Sequence, residues 1–460
     1  MATVGHDDFA LSRVPRSERY GFVSVLLQWV GNSGSLSQFM LGAAIGLSLG
    51  FWQAAAAFTL GAVLLEIVIF FVGFAGQREG LSMVMLTRFT GFGRNGSALV
   101  SLVIAISLIG WFGVQNGIFG TSMNELVGGP VWMWCVISGV VLTALVIYGF
   151  KGMLWISRIA VPLFFGLIAY TVITTLSQHS LAELIAIPPP ENELTIASAA
   201  TIIAGGFMTG AIIAPDMTRF NSKGWHVAVQ SGTSLVISEY LVGLTGVLLG
   251  HLVGTSDVTS IVLGTSGAVG LIIIVLATMK INDNNLYSGS LGIVNFAETV
   301  FGVRIHRGAV TIAFGILGTL LSAIGFLDYF TSFLSLLGVA IPPIGGIIVA
   351  EYYIVRRQTK ALDETRASET LPRTIAGWVP GTLVVWLLAF GVGWVTQYFA
   401  LGIPVINSLV TAMLLYLIAS RAGLITSTGA VNMRPEHQSA TTEDANDDAP
   451  TTTSKESRNG

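Results

Sequence analysis

The sequence predicts an all-α polytopic membrane protein of about twelve transmembrane helices, and three observations carry that reading. Hydrophobic residues make up 53% of the 460 and charged ones only 10%, against roughly 25% charged in an ordinary soluble domain. A soluble globule so poor in charge could not cover itself with a hydrated surface. Apolar runs recur from Tyr20 to Ser420, many of about 18 residues or more, enough to cross a hydrocarbon core about 30 Å thick. Finally, the basic residues sort to one side of the crossings that these runs define.

In chain order, residues 1–18 carry five acidic or basic side chains and read as a cytoplasmic N-terminal tail. They lack the charged, apolar and small-residue succession of a cleaved signal, so the first span is expected to remain in place. Spans 1 to 12 are expected near 21–48, 51–75, 96–122, 130–149, 154–176, 195–214, 227–252, 259–296, 308–325, 328–354, 376–398 and 402–420. Residues 19–354 form a ten-helix core, 355–375 a cytoplasmic loop, 376–421 two additional helices, and 422–460 a tail. The tail's Thr, Ser, Asp and Glu bury too little apolar surface to order it. With the N-terminus inside, all but one of the 22 Lys and Arg fall on the cytoplasmic side. The outer connections 124–130 and 177–193 hold none, as the positive-inside rule requires. Both termini are thus expected in the cytoplasm; the exception is Lys280.

Composition also excludes function classes. A net charge of −3 gives no basic field for nucleic acid. Cys135 is the single cysteine, the six histidines are scattered, and no metal-ligand spacing, catalytic triad or phosphate-binding loop is present. Neither an enzyme, a metal site nor a cofactor is expected. No soluble segment could hold a nucleotide-driven motor, and no repeated filter sequence suggests a channel.

Small residues interrupt two spans. Span 1 contains Gly31-Asn32-Ser33-Gly34-Ser35 and span 6 contains Gly205-Gly206-Phe207-Met208-Thr209-Gly210. Such a cluster can mark unwound backbone lining a midplane cavity, or only close helix packing. The matched pair, five spans apart and with Asn32 adding a polar side chain, favours breaks. It suggests inverted repeats of spans 1–5 and 6–10. In span 10, Ile341-Pro342-Pro343-Ile344-Gly345-Gly346 must kink or break the helix, because proline removes backbone donors.

Four motifs in order then become recognisable: Gly110-Trp111-Phe112-Gly113; Pro215-Asp216-Met217-Thr218-Arg219-Phe220; Asn282-Asp283-Asn284-Asn285-Leu286-Tyr287-Ser288; and Ile341 to Gly346 followed by Glu351-Tyr352-Tyr353. From about Arg16 to Arg421 the chain resembles the nucleobase:cation symporter-1 (purine/cytosine permease) family, most of all its bacterial cytosine permease branch. The resemblance implies a LeuT-like five-plus-five fold with helices 1 and 6 broken, alternating access, a bacterial cytoplasmic membrane, and import of a purine, pyrimidine or related heterocycle. An allantoin, hydantoin or vitamin-like substrate, carried facilitatively, is the alternative on the same scaffold.

A planar neutral base needs aromatic faces, each worth about 1–3 kcal/mol, and amide or carboxyl groups for its ring edge. Trp111 and Gln115, at i and i+4, share one face of span 3. Phe207, Gly206 and Thr209 lie in the glycine-rich part of span 6; the family sandwiches its base between aromatics of spans 3 and 6, which correspond to Trp111 and Phe207. Asn32 and Ser33 complete the expected pocket, Ser33 standing where cytosine permeases tend to have an aromatic. In span 8, Asn282, Asp283 and Asn285 are candidates for pairing the base, with Asn284 weaker. Residues 258–279 could span alone and leave this cluster in a loop; the resemblance instead implies that helix 8 continues to about Phe296. Glu66, Glu239 and Asp283 are candidate proton carriers.

Coupling departs from the family. Sodium-coupled relatives hold the ion between the span 1 break and two adjacent hydroxyl side chains of span 8. Here those positions read Lys280-Ile281. Ile281 offers no oxygen and an ammonium repels a cation, so Lys280 reads as a surrogate for the ion, or alternatively as a snorkelling helix-end lysine. Transport without sodium, either proton-coupled or facilitative, is expected.

Overall fold

The computed structural model describes residues 9, 12–33, 35–148, 150–190, 193–303, 305–357 and 359–432, except for the side chains at 32–33, 148, 150–161, 280 and 284. Among the described residues, seven helices are each long and apolar enough to cross a membrane: Phe51–Glu79, Met83–Val127, Trp225–Val253, Val258–Phe301, Phe326–Val355, Pro380–Tyr398 and Pro404–Arg421. They are spans 2, 3, 7, 8, 10, 11 and 12. Shorter apolar helices supply the others: Phe22–Gly31 and Leu36–Ser48 as the halves of span 1, then Val131–Ile147, Pro162–Gln178, Ile196–Ile212 and Arg307–Ala323.

The breaks fall where local chemistry forces them. Span 1 parts between helices Phe22–Ser33 and Leu36–Ser48. Span 6 also breaks, but not within Gly205–Gly210 as expected; its helix runs on to Ile212. A Cβ on Gly205 would lie 1.9 Å from the Leu334 carbonyl oxygen, and one on Gly338 would lie 2.4 Å from that of Thr201. These glycines let the backbones of spans 6 and 10 touch, so close packing is what they serve. The turn comes at Ile213–Ala214, before a short helix Pro215–Thr218, where Pro215 has no N–H to continue the ladder. In span 10 the helix Phe330–Ala340 gives way to Pro342–Val349, the interruption that the prolines require. The Ala340 carbonyl accepts the Trp386 indole N–H from span 11 at 3.3 Å.

Span 8 is helical from Val258 to Phe296, interrupted only at Gly267, where φ is +60°. The Asn/Asp cluster therefore lies inside the helix and not in a loop. The second half of span 1 packs on span 7 through glycines of both. A Cβ on Gly42 would meet the Gly243 oxygen at 1.9 Å, and one on Gly246 the Phe39 oxygen at 2.1 Å. Small residues that bring backbones together are the usual device for helix contact in lipid.

At one end of the bundle the basic residues gather. Glu79, closing span 2, accepts from Arg13 at 2.8 Å, from Arg366 at 2.5 Å and from Tyr352 at 2.5 Å. This buried knot ties the N-terminal segment to span 2, span 10 and the helix Thr359–Arg366. Strand Thr374–Trp378 pairs antiparallel with Thr428–Asn432. The tail, expected to be without order from 422, is thus a strand partner at 428–432. The pairing was hidden because neither short segment is amphipathic alone; residues 433–460 lie outside the described ones.

Candidate functional site

A cavity of about 160 Å³ sits where spans 1, 3, 6, 7 and 8 meet. It falls below the roughly 300–1,000 Å³ of drug-sized pockets, so it suits a single small ring system. Its walls divide into an aromatic and a polar part.

The aromatic part begins with Trp111. Its indole is held edge-on by Phe333, ring centroids 5.7 Å apart, and by Phe330 at 6.3 Å, both from span 10. The flanking glycines explain the motif around it. A Cβ on Gly110 would come within 2.6 Å of the Phe333 ring, and one on Gly113 within 3.2 Å of Leu321. Phe207 lines the cavity from span 6, together with Gly206, Thr209 and Gly210. Its ring leans over Gly210, where a Cβ would approach to 2.9 Å. The flat aliphatic side is completed by Leu108, Ile213, Met217 and Ile281.

Gln115, one turn beyond Trp111, supplies the first polar group. Its amide N–H donates to Ser37 Oγ at 3.1 Å, while its Oε1 is buried with no hydrogen-bond partner among the described residues. Asn285 faces it from span 8 and donates to Asn282 Oδ1 at 3.2 Å; Asn282 in turn donates to the Phe112 carbonyl at 3.2 Å. Asn285 is on the wall, whereas Asn282 stands behind it and sets its orientation. Asp283 is buried but does not line the cavity. Thr209 shares a hydrogen bond with Ser107 at 2.8 Å. Unpaired polar atoms in such a place carry a cost of about 1–3 kcal/mol, which a ligand edge can relieve.

Of the acids, Glu239 is connected to this wall through Gln38. It is fully buried at a π-helical turn of span 7, Val236–Gly243. Gln38, which lines the cavity, donates to its Oε2 at 2.5 Å, and its Oε1 has no hydrogen-bond partner among the described residues. Glu66 lies elsewhere, accepting from Ser231 between spans 2 and 7 at 2.9 Å. Lys280 belongs to the span 8 helix, but its side chain lies outside the described residues, as do those of Asn32, Ser33 and Asn284.

The Pro215–Phe220 motif is an anchor. Asp216 accepts from the Met83 N–H at 2.8 Å, Thr218 donates to the Gly73 carbonyl at 2.7 Å, and Arg219 donates to that of Phe9 at 2.8 Å.

Residues 13–419 match the family model for permeases of cytosine/purines, uracil, thiamine and allantoin. The chain belongs to that family. It is a multi-pass membrane transporter and not an enzyme. The cytosine permease of Escherichia coli (strain K12) is 25% identical over 413 residues, 90% of this chain and 94% of the relative. The hydantoin permease of Microbacterium maritypicum is 24% identical over 431 residues, 87% and 86% of the two chains. Mhp1 in an inward facing conformation superposes with a TM-score of 0.75 at 22% identity, covering 90% of this chain and 93% of Mhp1. Its closed form with bromovinylhydantoin bound, described as a nucleobase-cation-symport-1 family transporter, gives 0.69. The LeuT-like inverted-repeat fold and the place in the purine/cytosine permease family are as the motifs implied.

Sequence reasoning missed Gln38, Ser37 and Ser238 on the cavity wall. Gln38 carried a usable signal: a polar amide four residues past the Gly34 interruption and inside an apolar run. The two serines carried none, since serine in a membrane helix can bond back to its own turn.

Proposed function

We propose that this chain imports a small planar nitrogen heterocycle, cytosine or a related purine or pyrimidine, across a bacterial cytoplasmic membrane by alternating access. The observation that carries the proposal is the cavity wall itself: Trp111 and Phe207 present ring faces beside the half-satisfied amide of Gln115 and the carboxamide of Asn285. Stacking supplies affinity for any flat ring, and the amides select its hydrogen-bonding edge. The cytosine and hydantoin permeases among the relatives support a ring of this size. Asn32 and Ser33 flank the break that opens beside Ser35, and Asn282 orients Asn285.

Transport on this reading needs no sodium. Sodium is a hard cation that takes several oxygen ligands, and Lys280-Ile281 offers none where hydroxyls are needed; Lys280 takes the ion's place. A proton is the coupling ion, and Glu239 is its carrier in preference to Glu66 or Asp283, because Gln38 links its carboxylate to the cavity. A change of charge on Glu239 then reorients an amide that the substrate touches.

Uptake of radiolabelled bases into proteoliposomes tests both parts. Uptake is expected to survive replacement of sodium by choline and to accelerate under an inward proton gradient; strict dependence on a sodium gradient overturns the coupling. Lys280→Ala should abolish uptake, whereas a snorkelling lysine would tolerate the change. Glu239→Gln should keep binding yet uncouple uptake from the proton gradient.

A further inference from the structure

A second cavity, of about 380 Å³, lies at the basic end of the bundle, between the N-terminal segment, the end of span 2 and the segment after span 10. Among the described residues, Arg13, Arg16, Arg19, Arg78 and Arg366 line it, against two carboxylates. One of those, Glu79, is fully engaged by Arg13, Arg366 and Tyr352. The other, Glu369, accepts the backbone N–H of Arg16 at 3.0 Å. The remaining guanidinium groups are under-neutralised. Arg78 reaches a carboxylate, that of Asp363, only at 3.9 Å. Arg19 gives one N–H to the Gln77 carbonyl at 2.9 Å, while its Nε is buried with no hydrogen-bond partner among the described residues. Gly80 shapes the place: its φ is +65°, and a Cβ there would come within 2.8 Å of Arg19 Nη2.

From this geometry we infer that the cavity binds a phosphate-bearing anion, with Arg16, Arg19 and Arg78 as its ligands and the Arg13–Glu79–Arg366 knot as its floor. Guanidinium forks match phosphate oxygens in pairs, and basic pockets beside membrane helices take the headgroups of anionic lipids. Burial, and next the charge of Arg16, hold the Arg19 guanidinium below its ordinary value, the response of a cation that an incoming anion would relieve. The phosphate can come from a lipid of the adjoining leaflet or from a free phosphate compound. Either would fasten the N-terminal segment to the ends of spans 2 and 10, the same elements that the Glu79 knot joins.

The test uses the purified full chain in phosphatidylcholine nanodiscs. Phosphatidylglycerol is titrated into the bilayer in one arm and inorganic phosphate into the buffer in the other, with the thermal midpoint and native mass spectrometry as readouts. A saturable response is expected, weakened about fivefold by Arg19→Gln and by a similar factor by Arg16→Gln. A response to the lipid alone assigns a headgroup site; a response to phosphate assigns a free-anion site. Should Arg19→Gln fail to fold, Glu369→Gln serves in its place, because removing that negative charge must tighten binding. No saturable response in either arm, or one indifferent to these substitutions, overturns the inference.

Discussion

Span 1 parts between helices Phe22–Ser33 and Leu36–Ser48, halfway along its length, whereas span 6 runs unbroken through Gly205, Gly206 and Gly210 and turns only at Ile213. Both stretches are equally rich in small residues, so composition does not separate them. Their neighbours do. Gly205 has the Leu334 carbonyl pressed against it, while a Cβ on Gly31 would meet nothing within 4 Å. At Gly205 the space that a side chain would need is taken by another backbone, whereas at Gly31 the described residues leave it open. The cavity lies between these two segments, taking Ser35, Ser37 and Gln38 from one and Gly206 to Gly210 from the other. The broken segment contributes polar groups close to its break; the unbroken one contributes an aromatic ring and a smooth small-residue surface.

The contrast is tested hardest at Gly205. Gly205→Val should push spans 6 and 10 apart, since even a single Cβ would sit 1.9 Å from a backbone oxygen. Overpacking typically costs about 1–3 kcal/mol and occasionally more; backbone against backbone belongs at the upper end. A lower thermal midpoint and poor yield of monodisperse protein are expected, and a normal midpoint would show that the two helices are not in contact.

The aromatic walls come next. Trp111→Ala should abolish high-affinity binding by removing one stacking face, worth about 1–3 kcal/mol, and Trp111→Phe should retain part of it. Unchanged uptake in Trp111→Ala would take span 3 out of the site. Phe207→Leu should weaken binding within the same range but less, because leucine still fills the space over Gly210. Near-normal affinity there would move the second wall to another span.

How much of this was legible follows from what each signal depends on. Hydropathy placed the spans because a membrane requires about 20 apolar residues in a row whatever they pack against. The prolines of span 10 marked its interruption because the missing donors are a property of the residues themselves. Trp111 and Gln115 were readable from their spacing on one helix face. Three features depended on distant partners and were not readable. The Gly205 contact needs Leu334, the pairing of 374–378 needs 428–432, and the role of Asn282 behind Asn285 needs the Phe112 carbonyl. Glu239 was visible as a buried acid but could not be ranked above Glu66 without Gln38, 201 positions away in sequence.

The smallest effect is the sharpest test of the contrast, because its sign is opposite. Gly31 lies in the last turns of the helix Phe22–Ser33, just before the break, with open space where a side chain would begin. Alanine there removes backbone freedom from the unfolded chain and favours the helix by about 0.5–1 kcal/mol, with no contact to oppose it. Gly31→Ala should therefore leave the thermal midpoint unchanged or slightly raised and substrate binding intact, where Gly205→Val lowers the midpoint. The two substitutions lie at comparable depth in matched spans, so the bilayer's contribution is the same for each. A fall in the Gly31→Ala midpoint comparable to that of Gly205→Val would mean that the first half of span 1 is itself held by backbone contact. Open space at Gly31 and contact at Gly205 would then no longer set spans 1 and 6 apart, and the distinction would have to rest on where each helix ends.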